Sequence, residues 1–238
     1  MAYNFLGLSN RVLSAFNEVR LSSSNFDSAT GFHEDVKSSV NQAVRDIYHE
    51  QDGRWDFARA EGSQVLTVPT NATYPRYVTY TLPSDAGVVE WGSFYLKRTD
   101  LAATSDFYQQ SSLGFMGYDQ WVDELRDKDA ALDVGQFGRP DTVIRLLNND
   151  WTMSTVPDKA YTVGFVYFKK PAELSAYTDA PIIPSVFEQQ IVDKALHYAY
   201  MFRDNYEQAG LAEDRYKKGV IRMRRQLIPQ EPYMRFSE

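Results

Sequence analysis

The sequence predicts an α+β fold, in which helix pairs at the two ends of the chain form one helical body and a β-rich antiparallel lobe is inserted between them. Three observations lead there. Apolar residues recur at helical spacing near both ends. β-Branched and aromatic runs, broken by Pro, Asn, Asp and Gly, fill the middle. Neither terminal pair could bury its stripe alone, because isolated two-helix units are marginal, so the pairs are expected to pack on each other.

The first stripe is Leu8, Val12, Phe16 and Val19, a helix of about three turns with Ser9 as its expected N-cap. Residues 20–31 are rich in Ser, Asn and Thr and read as a loop. Phe32, Val36, Val40, Ala43, Val44 and Ile47 mark a longer helix, which Gly53 is expected to end before the core anchors Trp55 and Phe57.

After Gly62 the period changes. Val65 and Thr67, then Tyr77, Thr79 and Thr81, then Val88 to Leu96 read as meander strands of a small antiparallel sheet. Pro69, Asn71, Pro75, Pro83, Asp85 and Gly87 punctuate them. Residues 99–140 break the pattern, with a short acidic helix expected over Tyr118–Leu132 and its inner side at Trp121, Val122 and Leu125. Strands are expected again at Thr142–Leu147 and Ala160–Lys169, joined through Asn148, Asn149, Asp150, Trp151 and a Pro157-Asp158 turn.

Ser185-Val186-Phe187-Glu188, directly after Pro184, has the form of a capping box. It opens a helix with Phe187, Ile191, Ala195, Ala199, Phe202 and Tyr206 on one face. Gly210 is placed to break the chain before a last helix striped by Tyr216, Val220, Met223 and Leu227, which Pro229 and Pro232 stop. The expected organisation is therefore a helical body from residues 1–60 and 180–228. Residues 61–179 make the inserted lobe, with 99–140 as its variable segment, and residues 229–238 make an extended tail.

Composition narrows function. At 238 residues and 43% hydrophobic, the chain can bury a substantial core. Its net charge of −7 argues against a chain that grips nucleic acid over its whole surface. With no cysteine, disulfides, thiolate metal sites and cysteine nucleophiles are excluded. The amino end lacks a signal-peptide pattern and no window matches a membrane span, so a cytoplasm, or a particle assembled there, is the expected setting.

Catalytic patterns are sparse. His33-Glu34-Asp35-Val36-Lys37 begins like the zinc-protease helix, but Lys37 stands where the second histidine belongs. His49 and His197 lie far off in sequence, and three histidines leave few nucleophile–base pairs. Asp119, Asp123 and Asp127, with Glu124 beside them, could in principle hold a divalent ion. Like charges at this spacing cost an exposed helix only a few tenths of a kcal/mol, so a solvated acidic face is the simpler reading. No phosphate-binding glycine loop is present, and no metal or other cofactor is expected.

Charge is segregated instead. Arg215, Lys217, Lys218, Arg222, Arg224 and Arg225 place six bases in eleven residues, whereas residues 100–133 carry eight acids against two bases. Such a chain suits head-to-side association with copies of itself. Tyr233, Met234 and Phe236 in the tail have no partner in sequence and are expected to dock on another surface.

Three stretches together resemble phage head–tail adaptor proteins of the connector or tail tubular type. The first is Asn10-Arg11-Val12-Leu13 with Ser28-Ala29-Thr30-Gly31-Phe32 and Ala43-Val44-Arg45-Asp46-Ile47. The second runs from Pro157-Asp158-Lys159 through Val166-Tyr167-Phe168-Lys169-Lys170-Pro171. The third is Asp179-Ala180-Pro181-Ile182-Ile183-Pro184 leading into Ile191-Val192-Asp193-Lys194-Ala195-Leu196. Residues 99–140 match no part of that pattern.

The resemblance implies a non-enzymatic virion subunit, assembled in the host cytoplasm as a homo-oligomeric ring, typically of twelve copies. Its partners would be the portal protein above and a tail or nozzle protein below. Double-stranded DNA would pass through the lumen during packaging and ejection without sequence-specific binding, and no membrane is involved. Portal binding would fall to Arg222, Arg224, Arg225, Tyr233, Met234 and Phe236. Three other readings compete: a different neck or tail-completion protein, a carbohydrate-binding module using Trp91, Phe94 and Tyr95, and an enzyme using the acidic helix with a divalent metal.

Overall fold

The computed structural model describes residues 2–68, 78–97, 112–123 and 137–227. The chain divides into two compact units, one formed by Met1–Ala58 with Lys170–Glu238 and the other by Arg59–Lys169. Helices at both ends and a strand-rich middle make the fold α+β.

In the first unit, helix α1 spans Phe5–Ala15. Its N-cap is Asn4, whose side chain accepts from Gly7 N at 2.8 Å; Ser9 lies a turn inside the helix and is buried. Asn17 then takes the left-handed conformation (φ 53°), a residue type that tolerates it. That reversal removes Val19 from the expected stripe and leaves it 76% exposed. The loop that follows is tied back by Asn10, whose side-chain amide bonds both the carbonyl and the N–H of Leu21.

Helix α2 covers Phe32–His49 and buries Val36, Val40, Ala43, Val44 and Ile47, as its spacing predicts. Trp55 folds back on it and donates from Nε1 to the Ile47 carbonyl at 2.7 Å.

Two more long helices complete this unit. Helix α4 (Glu188–Phe202) is entered through a single 3-10 turn at Ser185–Phe187, and no side-chain cap bond forms at Ser185. Glu188 instead pairs with Arg11 of α1 at 3.1 Å. Helix α5 spans Tyr206–Leu227. The break between them falls at Arg203–Asn205, where Asp204 has φ 55°, and Gly210 sits inside α5 with open space beside it. One exposed glycine costs a helix about 1 kcal/mol, less than the packing of Ala209, Ala212, Tyr216, Val220 and Met223 returns. Helix α4 packs against α1, α2 and α5.

The second unit holds strands β1 (Arg59–Val65), β2 (Tyr80–Thr81), β3 (Ala86–Val89), β4 (Tyr95–Leu96) and β5 (Gly114–Met116). Helix α3 (Tyr118–Trp121) follows, then β6 (Phe137–Gly138), β7 (Thr142–Arg145), β8 (Asp150–Met153), β9 (Val156–Pro157) and β10 (Thr162–Lys169). Eight-residue β10 is the spine of one sheet: β1 pairs antiparallel along its length from Arg59↔Phe168 to Val65↔Thr162, and β3 and β4 share its other edge. A second sheet runs β2-β8-β7-β5. The unit is mostly antiparallel, but β5–β7 and β6–β9 are parallel, so it is not a simple meander. Parallel pairing needs a long crossover, and enough chain separates Met116 from Thr142 to provide one.

The core of this unit is aromatic. Phe94 is fully buried, stacked on Phe165 at 4.9 Å and on Trp91 at 5.4 Å, with Trp151 edge-on. Gly62 admits this packing, because a Cβ there would stand 2.5 Å from the Phe165 ring.

Candidate functional site

The sparse catalytic signals are not brought together. His33 bonds the Val19 carbonyl through Nε2 (2.9 Å), His197 bonds the Ala209 carbonyl through Nδ1 (3.0 Å), and the His49 ring lies against Tyr48. Among the described residues no group of three or more His, Asp or Glu is placed to hold a metal ion. Asp119 lies in the single turn of α3 and Asp123 just past it; Glu124 and Asp127 lie outside the described residues.

The strand aromatics do not form an outward stripe either. Phe94 is core, the Tyr95 ring covers Gly164 with its hydroxyl donating to Glu61, and Trp91 stacks on Phe94. Of the three, only Phe94 is buried; Trp91 and Tyr95 are half-buried, and Trp91 also meets the exposed Phe115 at 5.6 Å.

The basic end of α5 is a surface with two sides. Its inner side is locked down. Lys194 of α4, 12% exposed, reaches Glu213 at 3.0 Å and Asp46 at 3.7 Å and lies against the rings of Tyr198 and Tyr216. Tyr216 donates to Glu50 at 3.1 Å, and Tyr198 donates to Asp46. Burial, reinforced by those carboxylates, holds both phenols well above their ordinary pKa, so both remain donors. Arg224 belongs to this inner lock: it binds the Glu50 carboxylate at 2.9 Å and the Glu50 carbonyl.

The outer side carries the remaining bases. Arg215 and Lys217 approach Asp193 and Glu213 at 3.9 and 3.8 Å. Lys218, Arg222 and Arg225 are exposed and pair with no carboxylate among the described residues, and Ile221 stands between them half-exposed. Of the expected portal contacts, then, Arg222 and Arg225 share an open face and Arg224 does not. Tyr233, Met234 and Phe236 lie outside the described residues.

A second surface was not singled out from sequence. At the α4–α5 corner, Phe202 is 59% exposed and stacks on Phe32 at 6.1 Å, and Phe32 meets Phe16 at 5.0 Å. Arg203 lays its guanidinium 3.9 Å from the Phe32 ring centroid and pairs with Glu18. Met201 and Tyr206 are exposed beside it. The available signal was Met201-Phe202 placed directly before a break, where a core stripe has run out of helix.

Helices from both ends of the chain, a strand-rich insertion and outward-facing charge unpaired among the described residues fit the class of phage adaptor structural proteins. The family model described as SU10 adaptor protein matches residues 3–234, and the chain belongs to that family. A search of curated proteins finds no match. No helix among the described residues is long and apolar enough to cross a membrane.

Proposed function

We propose that this adaptor is the head–tail adaptor of a phage virion. Copies of it form a ring, typically of twelve, between the portal and a tail or nozzle protein, and double-stranded DNA passes through the lumen during packaging and ejection. The subunit works without catalysis and without a cofactor. The helical body (residues 1–60 and 180–228) forms the ring wall, and the β-rich lobe (61–179) faces the tail.

The observation that carries this reading is the family match, which spans both compact units and not one alone. The α5 surface supports its portal side: Arg222 and Arg225 are exposed and pair with no carboxylate among the described residues, while Arg224 fixes the helix that presents them. Tyr233, Met234 and Phe236, which follow α5 in sequence, would add apolar side chains to the portal contact.

Size-exclusion chromatography with light scattering, on the chain alone and mixed with its portal protein, tests the proposal. A large complex of fixed composition formed with the portal supports it. A chain that ignores the portal at every salt concentration overturns it, and deletion of residues 229–238 with no effect on portal binding removes the tail from the contact.

A further inference from the structure

The helical unit has two unsatisfied surfaces of opposite character at opposite ends of α5. At its N-terminal end lie the exposed Phe202 and Tyr206, with the carboxylates of Asp204 and Glu207 beside them and Arg203 already paired with Glu18. Toward its C-terminal end lie Lys218, Ile221 and Arg222, exposed and without an acidic partner among the described residues.

Eleven to fifteen residues of helix separate Glu207 from Lys218 and Arg222, about 16–22 Å at 1.5 Å per residue. The two surfaces therefore cannot satisfy each other within one subunit. The helix dipole explains an acid in the first turn and Arg225 in the last. It does not explain Lys218, more than two turns from the end, nor the apolar side chains exposed within each charged surface.

We propose that these two surfaces are one interface: the acidic, aromatic corner of one copy docks on the Lys218–Ile221 face of the next, leaving Arg222 and Arg225 to the portal. Each surface pairs unmet charge with exposed apolar area, and the signs are opposite, which identifies a second copy of this chain as the occupant. The contact joins unlike surfaces, so it either forms twice across a two-fold in a dimer or repeats head to tail into a closed ring or an open helix, and only the second accords with the ring reading. DNA is the less suitable occupant of the basic face, because a phosphate backbone would leave Ile221 uncovered.

The inference rests on the ring reading and deepens it by naming the faces that meet. Two full-length variants test it, neither altering Arg222, Arg225 or residues 229–238. One carries Asp204→Asn and Glu207→Lys, the other Lys218→Glu and Ile221→Glu, all at exposed positions. In sedimentation velocity at high protein concentration, the unaltered chain is expected to associate in a salt-sensitive way. Each variant alone is expected to stay at 27.3 kDa, and an equimolar mixture of the two is expected to associate again.

A mixture that stays monomeric, an unaltered chain that stays monomeric, or a variant that associates alone as the unaltered chain does would each overturn the interface. Co-elution with the portal is read separately. Binding to the portal by the unaltered chain together with a silent mixture rejects these faces and keeps the adaptor reading. Loss of portal binding by the unaltered chain rejects the adaptor reading itself.

Discussion

Arg224 donates from the last turn of α5 to both the carboxylate (2.9 Å) and the main-chain carbonyl (2.5 Å) of Glu50, the residue that closes α2. Arg224, one of the expected portal contacts, thus also bridges two helices. Both side chains are more than a third exposed, so water screens the pair. Arg224→Ala is expected to cost about 0.5–1.5 kcal/mol in urea denaturation. It should weaken portal binding less than Arg222→Ala or Arg225→Ala does; the reverse order would return Arg224 to the contact.

Gly62 and Gly164 both lie under aromatic rings, and they should differ in tolerance. A Cβ on Gly62 would meet Phe165, which is buried and stacked on Phe94 and has nowhere to go. A Cβ on Gly164 would meet Tyr95, a half-buried ring that can swing toward solvent on releasing Glu61. Gly62→Ala is expected to cost about 1–3 kcal/mol and Gly164→Ala less. Equal shifts in denaturation midpoint would mean that the Tyr95 ring is as fixed as Phe165.

Asp193 should make stability rise toward acid. Burial holds its carboxyl above the ordinary carboxylate value, against the Gln189 hydrogen bond and the Arg215 charge, which pull it down. Its contribution is thus most favourable below the unfolded value of 3.8 and is lost as pH rises through the raised folded value. Asp193→Asn is expected to stabilise the protein at pH 7 and to flatten the stability profile between that window and neutrality. Destabilisation at pH 7 with an unchanged profile would show that the Arg215 pairing outweighs burial.

Arg203 covers the Phe16 and Phe32 rings at 5.6 and 3.9 Å while pairing with Glu18. Arg203→Ala is expected to cost about 1–2 kcal/mol, through lost ring contact as well as lost charge. Arg203→Lys keeps the charge but not the flat guanidinium, so it should recover only part of the loss. Full recovery by lysine in thermal denaturation would assign the whole effect to Glu18.

What sequence made legible was set by periodicity. The stripes of α2 and α5 read correctly because every third or fourth residue in them meets the core, from Val36 to Ile47 and from Tyr216 to Met223. Boundaries read less well because they depend on single dihedral choices. Asn17 and Asp204 turn the chain through left-handed conformations, while Gly210, the conspicuous breaker, stays helical. The parallel β5–β7 pair was hidden because pairing direction depends on distant chain, which alternation along one strand does not encode. The basic cluster was visible as six charges, but sorting Arg224 inward from Arg222 and Arg225 required the position of Glu50 on another helix.

The helical unit is assembled from two stretches of chain separated by the 111 residues from Arg59 to Lys169. At about 5–20 residues per second, a ribosome would take about 5–20 seconds to make that intervening stretch. Throughout that interval the apolar faces of α1 and α2 await partners that have not been made. A chain released early would have a strand-rich lobe but neither α4 nor α5, and so neither of the opposed surfaces. Incomplete products would then be unable to enter a growing assembly, and discontinuity in the chain would act as quality control during translation.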